Sequence, residues 1–337
     1  MSNNTTPSGP ALQARDTQLF AGLLESRVMT REQLAKLYFD GNYDVAKKRL
    51  FKLTQAGFVR ERKSRANPGR FFPSTLSLGR RGFDALNATP ALLPIQGITW
   101  EQVADRIDLA RSTLAHELEL IDHRVAFTAA LRGHASLALA EFLTWPALYQ
   151  FKTVDCESGK ELVLKADAQI SVLEDDELEH TFFLEYDRST EVGRQLAKKA
   201  FGYHHYYTTG GFSVRSGAPR EDFKEHPFRV LYIVPSVERR NSIAERLLQV
   251  HNAPDRGARR PALLRNQHWL TTSAQFLAAP LGAIWLTLAD YWHATEGTLY
   301  DPRSHFTRQR IPPRDRLVAE RAELRSLFAQ QEEVSHV

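Results

Sequence analysis

Residues 162–207 hold the pattern that most narrows the folds open to this chain: two alternating runs, an acidic turn between them, and an amphipathic segment after them. In the first run Leu162, Leu164, Ala166, Ala168, Ile170 and Val172 recur at every second position. That spacing predicts one strand with Lys165, Asp167 and Gln169 on its opposite face. Glu174-Asp175-Asp176-Glu177 reverses the chain, and the run 181–187 puts Phe182, Leu184 and Tyr186 on one side and Glu185 and Asp187 on the other. Asp167 and Glu185 lie about equally far from the turn, so antiparallel pairing predicts them nearly opposite each other. A helix is expected next, capped at Arg188-Ser189-Thr190 and running to Tyr207. Its inner stripe is Val192, Leu196, Ala200, Tyr203 and Tyr207, flanked by Arg194, Lys198 and Lys199.

Charge is distributed unevenly about this centre. Residues 1–85 carry fifteen Lys or Arg against seven Asp or Glu, a net of +8, which leaves −4 for the remainder of a chain whose total is +4. A basic end of this kind suits a nucleic-acid-binding module. The 337 residues, 42% hydrophobic and 25% charged, suffice for two modest domains and argue against disorder. A single cysteine, Cys156, excludes an intramolecular disulfide framework and a zinc site of several thiolates. No run is long enough to span a bilayer, so a cytoplasmic location and no membrane partner are expected.

Within the basic end, the order is helix, helix, turn, basic helix and basic hairpin. Leu19, Phe20, Leu23 and Leu24 mark the first helix; Thr30-x-x-Gln33 is a capping box for the second, which buries Leu34, Leu37 and Tyr38. A third helix over residues 44–55 is expected to turn Val45, Leu50, Phe51 and Leu53 inward and Lys47, Lys48, Arg49 and Lys52 outward. After Gly57 a hairpin carries Arg62, Lys63, Arg65 and Arg70. This layout, with Leu50, Leu53, Gly57 and Val59 at their spacing, resembles the winged helix-turn-helix family. The resemblance implies that the third helix enters the major groove of double-stranded DNA while the hairpin tracks phosphates. The DNA-binding residues are then Lys47, Lys48, Arg49, Lys52, Arg62, Lys63, Arg65 and Arg70. A helical domain whose lysines solvate its surface is the competing reading.

The expected organisation is a disordered tail over 1–15, the winged helix over 16–88, a proline-containing linker over 89–99, an α/β domain over 100–300 and a helical tail over 301–337. The fold class is therefore mixed α+β. One long helix is expected from Trp100 to about Leu131, because the apolar stripe Val103, Ile107, Leu114, Leu118, Ile121, Val125 does not break; His116, Glu117 and Asp122 fall on its polar side. A second helix-turn-helix at 103–114 is the alternative there. Further on, 228–234 reads as a buried strand, 237–250 as a helix, and 314–333 as a peripheral helix with Leu317, Leu324 and Phe328 on one stripe.

The carboxylate-bearing strands between two helices resemble the PD-(D/E)XK nuclease superfamily, with Ala166-Asp167 where that family has Pro-Asp and Glu185-Tyr186-Asp187 where it has Glu-x-Lys. The resemblance implies a restriction-endonuclease-like core in which Asp167 and Glu185 hold Mg²⁺ or Mn²⁺ against a scissile phosphate. Its catalytic set is Asp167, Glu185 and Asp187, with Lys165, Lys198 or Lys199 supplying the cation that Asp187 displaces. The competing reading is a buried ion-pair network that pins the following helix to the sheet. Taken together with the winged helix, Lys165-Ala166-Asp167-Ala168, the segment 183–191, the tyrosine pair on the helix and Pro280-Leu281-Gly282-Ala283-Ile284-Trp285 resemble the replication-relaxation family of bacterial plasmids and integrative elements. That resemblance implies a DNA-associated role in replication or mobilisation, with a nuclease-like domain that is weakly active or degenerate. A transcriptional regulator whose C-terminal domain only dimerises or recruits and an active Mg²⁺-dependent endonuclease or nickase stay open beside it, and a homodimer is a further expected partner state.

Overall fold

A computed structural model describes residues 10–63, 73–93, 97–107, 111–144, 150–155, 158–188, 193–252, 264–299 and 313–328. The chain divides into two units, residues 1–129 with 143–147, and residues 130–142 with 148–337.

In the first unit α1 (Ala14–Ser26), β1 (Met29–Thr30), α2 (Arg31–Tyr38) and α3 (Tyr43–Gln55) precede the hairpin of β2 (Val59–Arg62) and β3 (Thr75–Leu78), and α4 (Arg80–Asn87) follows. The strands form an antiparallel sheet in the order β1-β3-β2, with Met29 opposite Leu76 and Val59 opposite Leu78. Local chemistry sets the helix starts. Thr30 Oγ1 accepts from the Gln33 amide at 3.2 Å while Gln33 Oε1 accepts from the Thr30 amide at 2.8 Å, the expected capping box. Asn42 caps α3 by accepting from the Val45 amide at 3.1 Å. The hairpin residues Arg65 and Arg70 lie outside the described residues.

Helix α3 presents a different face from the expected one. Ala46, Leu50 and Leu53 are buried, whereas Val45 is 44% and Phe51 64% exposed. Arg49 also departs from the expected outward set: it forms a two-pronged ion pair with Asp16 of α1, whose side chain has no exposure, and donates to the Ala11 carbonyl at 2.7 Å. With Arg49 on the α1 side, the helix rotates so that positions 46, 50 and 53 meet the core and 45 and 51 meet solvent.

The unit extends past the expected linker. Helices α5 (Trp100–Ile107) and α6 (Arg111–Leu131) carry the stripe expected of one long helix, on either side of residues 108–110, which lie outside the described residues. Val103, Ile107, Ile121 and Val125 are buried in the same core as Leu19, Phe20, Leu34, Leu50 and Phe58, and Leu93, Ile98 and Trp100 pack against it. Residues 89–99 therefore do not separate two cores. The stripe needs apolar surface to cover it, and the N-terminal helices supply that surface. Polar groups follow the same route: Gln33 Nε2 donates to the Leu118 carbonyl and to Asp122, both at 2.8 Å, and Glu117 is buried beside Arg27 at 3.8 Å.

The second unit contains β4 (Leu137–Thr144) up to Phe142, β5 (Gln150–Val154), β6 (Glu161–Lys165), β7 (Ala168–Glu174), β8 (Leu178–Tyr186), α7 (Gly193–Thr208) and α8 (Gly211–Arg215). Then come β9 (Phe228–Val234), α9 (Val237–Asn252), α10 (Leu264–Gln267), β10 (His268–Thr272), α11 (Ser273–Ala278), β11 (Leu286–Thr287), α12 (Leu288–Leu299) and α13 (Arg314–Arg321). Six strands form one mixed sheet in the order β11-β10-β9-β8-β7-β4. Pairing is antiparallel between β7 and β8, parallel from β8 through β9 to β10, and antiparallel again to β11. Parallel neighbours need crossovers, which α7 and α9 provide. Accordingly 182–185 of β8 and 230–234 of β9 are buried without alternation.

The single strand expected over 162–172 is two strands. β6 ends at Lys165 and pairs only with β5, Lys165 lying opposite Gln150, whereas β7 begins at Ala168 inside the large sheet. Between β8 and β4 the residues 168–172 are all buried, Gln169 and Ser171 included, so the polar alternation does not mark a wet face. At the acidic turn Asp175 and Asp176 adopt φ of +51° and +60°, a region that Asp tolerates better than most residues. The C-terminal helix stops at Arg321, short of the expected stripe. Trp285 and Arg325 exchange backbone hydrogen bonds at 3.1 and 2.8 Å as an antiparallel bridge, and the Arg325 guanidinium grips Asp290 through two bonds of 2.7 Å. Among the described residues no helix is long and apolar enough to cross a membrane.

Removing one partner of a buried ion pair strands the other charge without water. Arg49→Ala should therefore destabilise the chain by about 3–5 kcal/mol, against roughly 0.5 kcal/mol or less for Lys47→Ala on the same helix. Urea denaturation of the two variants measures the contrast; equal midpoints would show that Asp16 does not depend on Arg49.

Candidate functional site

The hairpin of β7 and β8 positions the first two carboxylates. Ala168 pairs with Leu184, so one further step of the register sets Asp167 across from Glu185. The Asp167 amide donates to the Leu184 carbonyl at 3.0 Å, and its Oδ2 accepts from the Tyr186 amide at 2.7 Å. Asp167 thus ends the ladder with its own carboxylate bound to backbone.

Glu185 faces α7. Its Oε2 accepts from Lys199 Nζ at 2.8 Å and its Oε1 from the Tyr203 hydroxyl at 2.6 Å. Lys199 and Tyr203 are four residues apart, one helical turn, so both reach the same carboxylate from one face of the helix. The Glu185 side chain is 3% exposed, that of Lys199 30%. Burial pushes the Glu185 carboxyl up to about 7, opposed by the Lys199 ammonium and assisted by the charge of Asp167. Burial and the neighbouring Glu185 push the Tyr203 hydroxyl well above its ordinary value.

A close approach of α7 makes this reach possible. Thr153 Oγ1 of β5 donates to the Gly202 carbonyl at 3.0 Å, and a Cβ at Gly202 would stand 2.7 Å from Leu164 Cδ1 and 3.0 Å from Thr153 Cγ2. The small sheet of β5 and β6 therefore seats the helix at a glycine. Phe151 of β5 continues the contact, stacked on Tyr206 with ring centroids 3.8 Å apart.

Asp187 shares a sheet face with Glu185, two residues on, but bonds elsewhere: its Oδ2 accepts from Arg239 Nε of α9, and its amide donates to the Ile233 carbonyl at 3.0 Å. The structure therefore gathers Asp167, Glu185 and Lys199, ties Asp187 to a different helix, and leaves Lys165 at the end of β6 in the smaller sheet. Lys198 forms an ion pair with Asp155. Two partners lay beyond the sequence reading. Tyr203 reads as one more apolar residue of the α7 stripe until its hydroxyl is placed; Arg239 lies 52 residues after Asp187, with no spacing to signal the pair. The same face continues through Tyr232, which pairs with Glu185 across β8 and β9, to the His268 ring 5.7 Å away.

These donors do not fit a divalent ion. Both Glu185 oxygens accept from protein groups, an Asp187 oxygen is held by a guanidinium, and among the described residues no group of three or more His, Cys, Asp or Glu is placed to hold a metal. Glu185 and Asp187 are engaged in ion pairs with Lys199 of α7 and Arg239 of α9 respectively.

The basic residues of the first unit divide by role. Lys47, Lys48 and Lys52 are exposed on α3, and Arg62 and Lys63 are exposed at the end of β2, whereas Arg49 is taken up by Asp16. A family model described as Replication-relaxation matches residues 20–219, more than half of the chain. No curated protein and no solved structure matches it.

The raised Glu185 value means that the folded chain holds this proton more tightly than the unfolded chain does. Its stabilising contribution is present below the ordinary value of 4.5 and is lost as pH rises to about 7. Glu185→Gln should remove the dependence. The stability difference, wild type minus variant, should fall across that window with a slope of at most about 1.4 kcal/mol per pH unit and flatten above it. Urea titrations at several pH values test this; parallel curves would mean that Glu185 stays ionised throughout.

Proposed function

The chain belongs to the replication-relaxation family, and on that premise we propose that it is a duplex-DNA-binding protein acting in plasmid replication or mobilisation. The observation that carries the proposal is the outward face of α3, where Lys47, Lys48 and Lys52 stand exposed on a helix followed directly by strand β2, whose end carries the exposed Arg62 and Lys63. Three helices and a three-stranded sheet in the order β1-β3-β2 support a winged helix-turn-helix reading of the unit. In that reading α3 is the helix that enters the major groove, and the lysines neutralise phosphates on either side. Arg49 is an architectural residue in it, because its guanidinium is spent on Asp16.

For the second unit we propose a restriction-endonuclease-like core that serves as scaffold. The strand order β4-β7-β8, the following helix α7 and the parallel strand β9 support that reading. The chemistry argues for scaffold: cleavage would need carboxylate oxygens open to a metal and a phosphate, and here Lys199, Tyr203 and Arg239 occupy them. A metal-dependent nickase is the second reading, favoured by one observation, the Lys199 ammonium beside Glu185 where the lysine replaced by Asp187 would be needed.

Two measurements on the full chain test these proposals. Three phosphate contacts from Lys47, Lys48 and Lys52 predict that affinity for duplex DNA falls roughly forty-fold between about 50 and 200 mM salt. The double variant Lys47→Glu, Lys48→Glu should lose most of that binding; wild-type affinity in the variant would remove α3 from the interface. Supercoiled plasmid incubated with Mn²⁺ should stay intact. Nicking that disappears in Asp167→Ala and Glu185→Ala would establish the nickase instead.

A further inference from the structure

Among the described residues eight large hydrophobic side chains are exposed, and three of them, Tyr43, Val45 and Phe51, lie on the thirteen residues of α3. Phe51, at 64%, is the most exposed of the eight. It is not a core residue out of place, because Ala46, Leu50 and Leu53 already fill the inward side of the helix and are buried. Tyr43 has a local role, accepting from Arg31 at 3.4 Å. Val45 and Phe51 have no such explanation.

Helical spacing places both on the same outward half as Lys48 and Lys52. Val45 precedes Lys48 by three residues, Phe51 follows it by three, and Lys52 lies one turn beyond Lys48. The helix carries one carboxylate, Asp44, against Lys47, Lys48, Arg49 and Lys52. A surface that interleaves apolar groups with lysines is poorly suited to another protein, since lysine is depleted in the cores of protein interfaces. It is well suited to a polyanion that offers an apolar group between its phosphates. In the major groove of duplex DNA that group is the C5-methyl of thymine, which phenylalanine contacts directly, while G·C pairs present only donors and acceptors there.

We infer that Phe51 and Val45 read thymine C5-methyl groups in the major groove, so that α3 prefers T-containing duplexes by apolar contact while Lys48 and Lys52 hold the flanking phosphates. This inference rests on the DNA-binding reading of α3, and the test separates the two. The probes are a short alternating dA·dT duplex and the same duplex with deoxyuridine for thymidine, which deletes the methyl and leaves base pairing unchanged. Affinity of the full chain for each is measured by fluorescence anisotropy at one salt concentration. The wild type should bind the uracil duplex more weakly by about four-fold for each contacted methyl, the factor that corresponds to burying one methylene-sized group. Phe51→Ala, at an exposed position and with its fold checked by circular dichroism, should show a smaller ratio between the two duplexes. Lys48→Glu should lose affinity for both. In the converse arm, 5-methylcytosine in an alternating dG·dC duplex should strengthen binding by the wild type and less so by Phe51→Ala.

Equal wild-type affinity for the thymine and uracil duplexes, with Lys48→Glu still impaired, would overturn the thymine inference and leave DNA binding by α3 standing. Absence of binding to either duplex would overturn both. Equal affinities together with a self-association that sedimentation detects in wild type and not in Phe51→Ala would also overturn it, and would assign Phe51 to a contact between copies of this chain.

Discussion

Glu185 is a carboxylate almost without water, and its two oxygens are satisfied only where α7 brings Lys199 and Tyr203 against the sheet. An unpaired charge at that depth costs several kcal/mol, so the site dictates the position of the helix as much as the apolar stripe does. Burial of Leu196, Ala200 and Tyr203 draws α7 onto the sheet, but apolar contact is tolerant of a sliding or rotating helix. The two hydrogen bonds are not, and neither is the glycine at 202 that lets α7 lie against β5 and β6. Asp187 repeats the device with α9 through Arg239, so alternate buried positions on one face of β8 anchor the crossover helices that precede and follow β9 in the chain. The second unit is organised from the C-terminal end of β8.

The first unit uses the same physics with the opposite consequence for its surface. Asp16 has no exposure and draws Arg49 of α3 inward, which sets the rotation of that helix about its axis. Once Arg49 faces α1, Ala46, Leu50 and Leu53 must face the core and Val45, Lys48, Phe51 and Lys52 must face solvent. A buried ion pair therefore decides which side chains the helix can offer to a partner. It also separates the cations of α3 into one that holds the fold and three that remain available at the surface.

The residues that match the family model include the whole of α3 and of the β7–β8 hairpin. What differs between the halves is how their charges are used. In the first unit lysines stand uncovered in water, where they cost little and can exchange counterions for phosphate. Around Glu185 charges are desolvated and mutually engaged, and an arriving ion would have to displace Lys199 and Tyr203 before it met an oxygen.

Several features were legible in the sequence because the interactions that make them span a few residues. The Thr30–Gln33 capping box needs only a spacing of three, and the hairpin register that brings Asp167 opposite Glu185 follows from counting outward from an acidic turn. The strand at Phe228–Val234 was equally plain, since a parallel strand buried on both faces is an unbroken apolar run. Tertiary structure alone decided the rest. It broke the alternating run at Asp167 and sent Lys165 to a second sheet, it carried the stripe of α5 and α6 into the first core rather than past residues 89–99, and it paired Asp187 with Arg239 across 52 residues. The reason is one of range. Turns, caps and periodicity are set within a single segment, so the sequence by itself determined the capping box, the buried strand at Phe228–Val234 and the register across the acidic turn. Which element covers which face, and which buried charge finds which partner, depends on the free energy of packing a whole unit, and no local spacing records it.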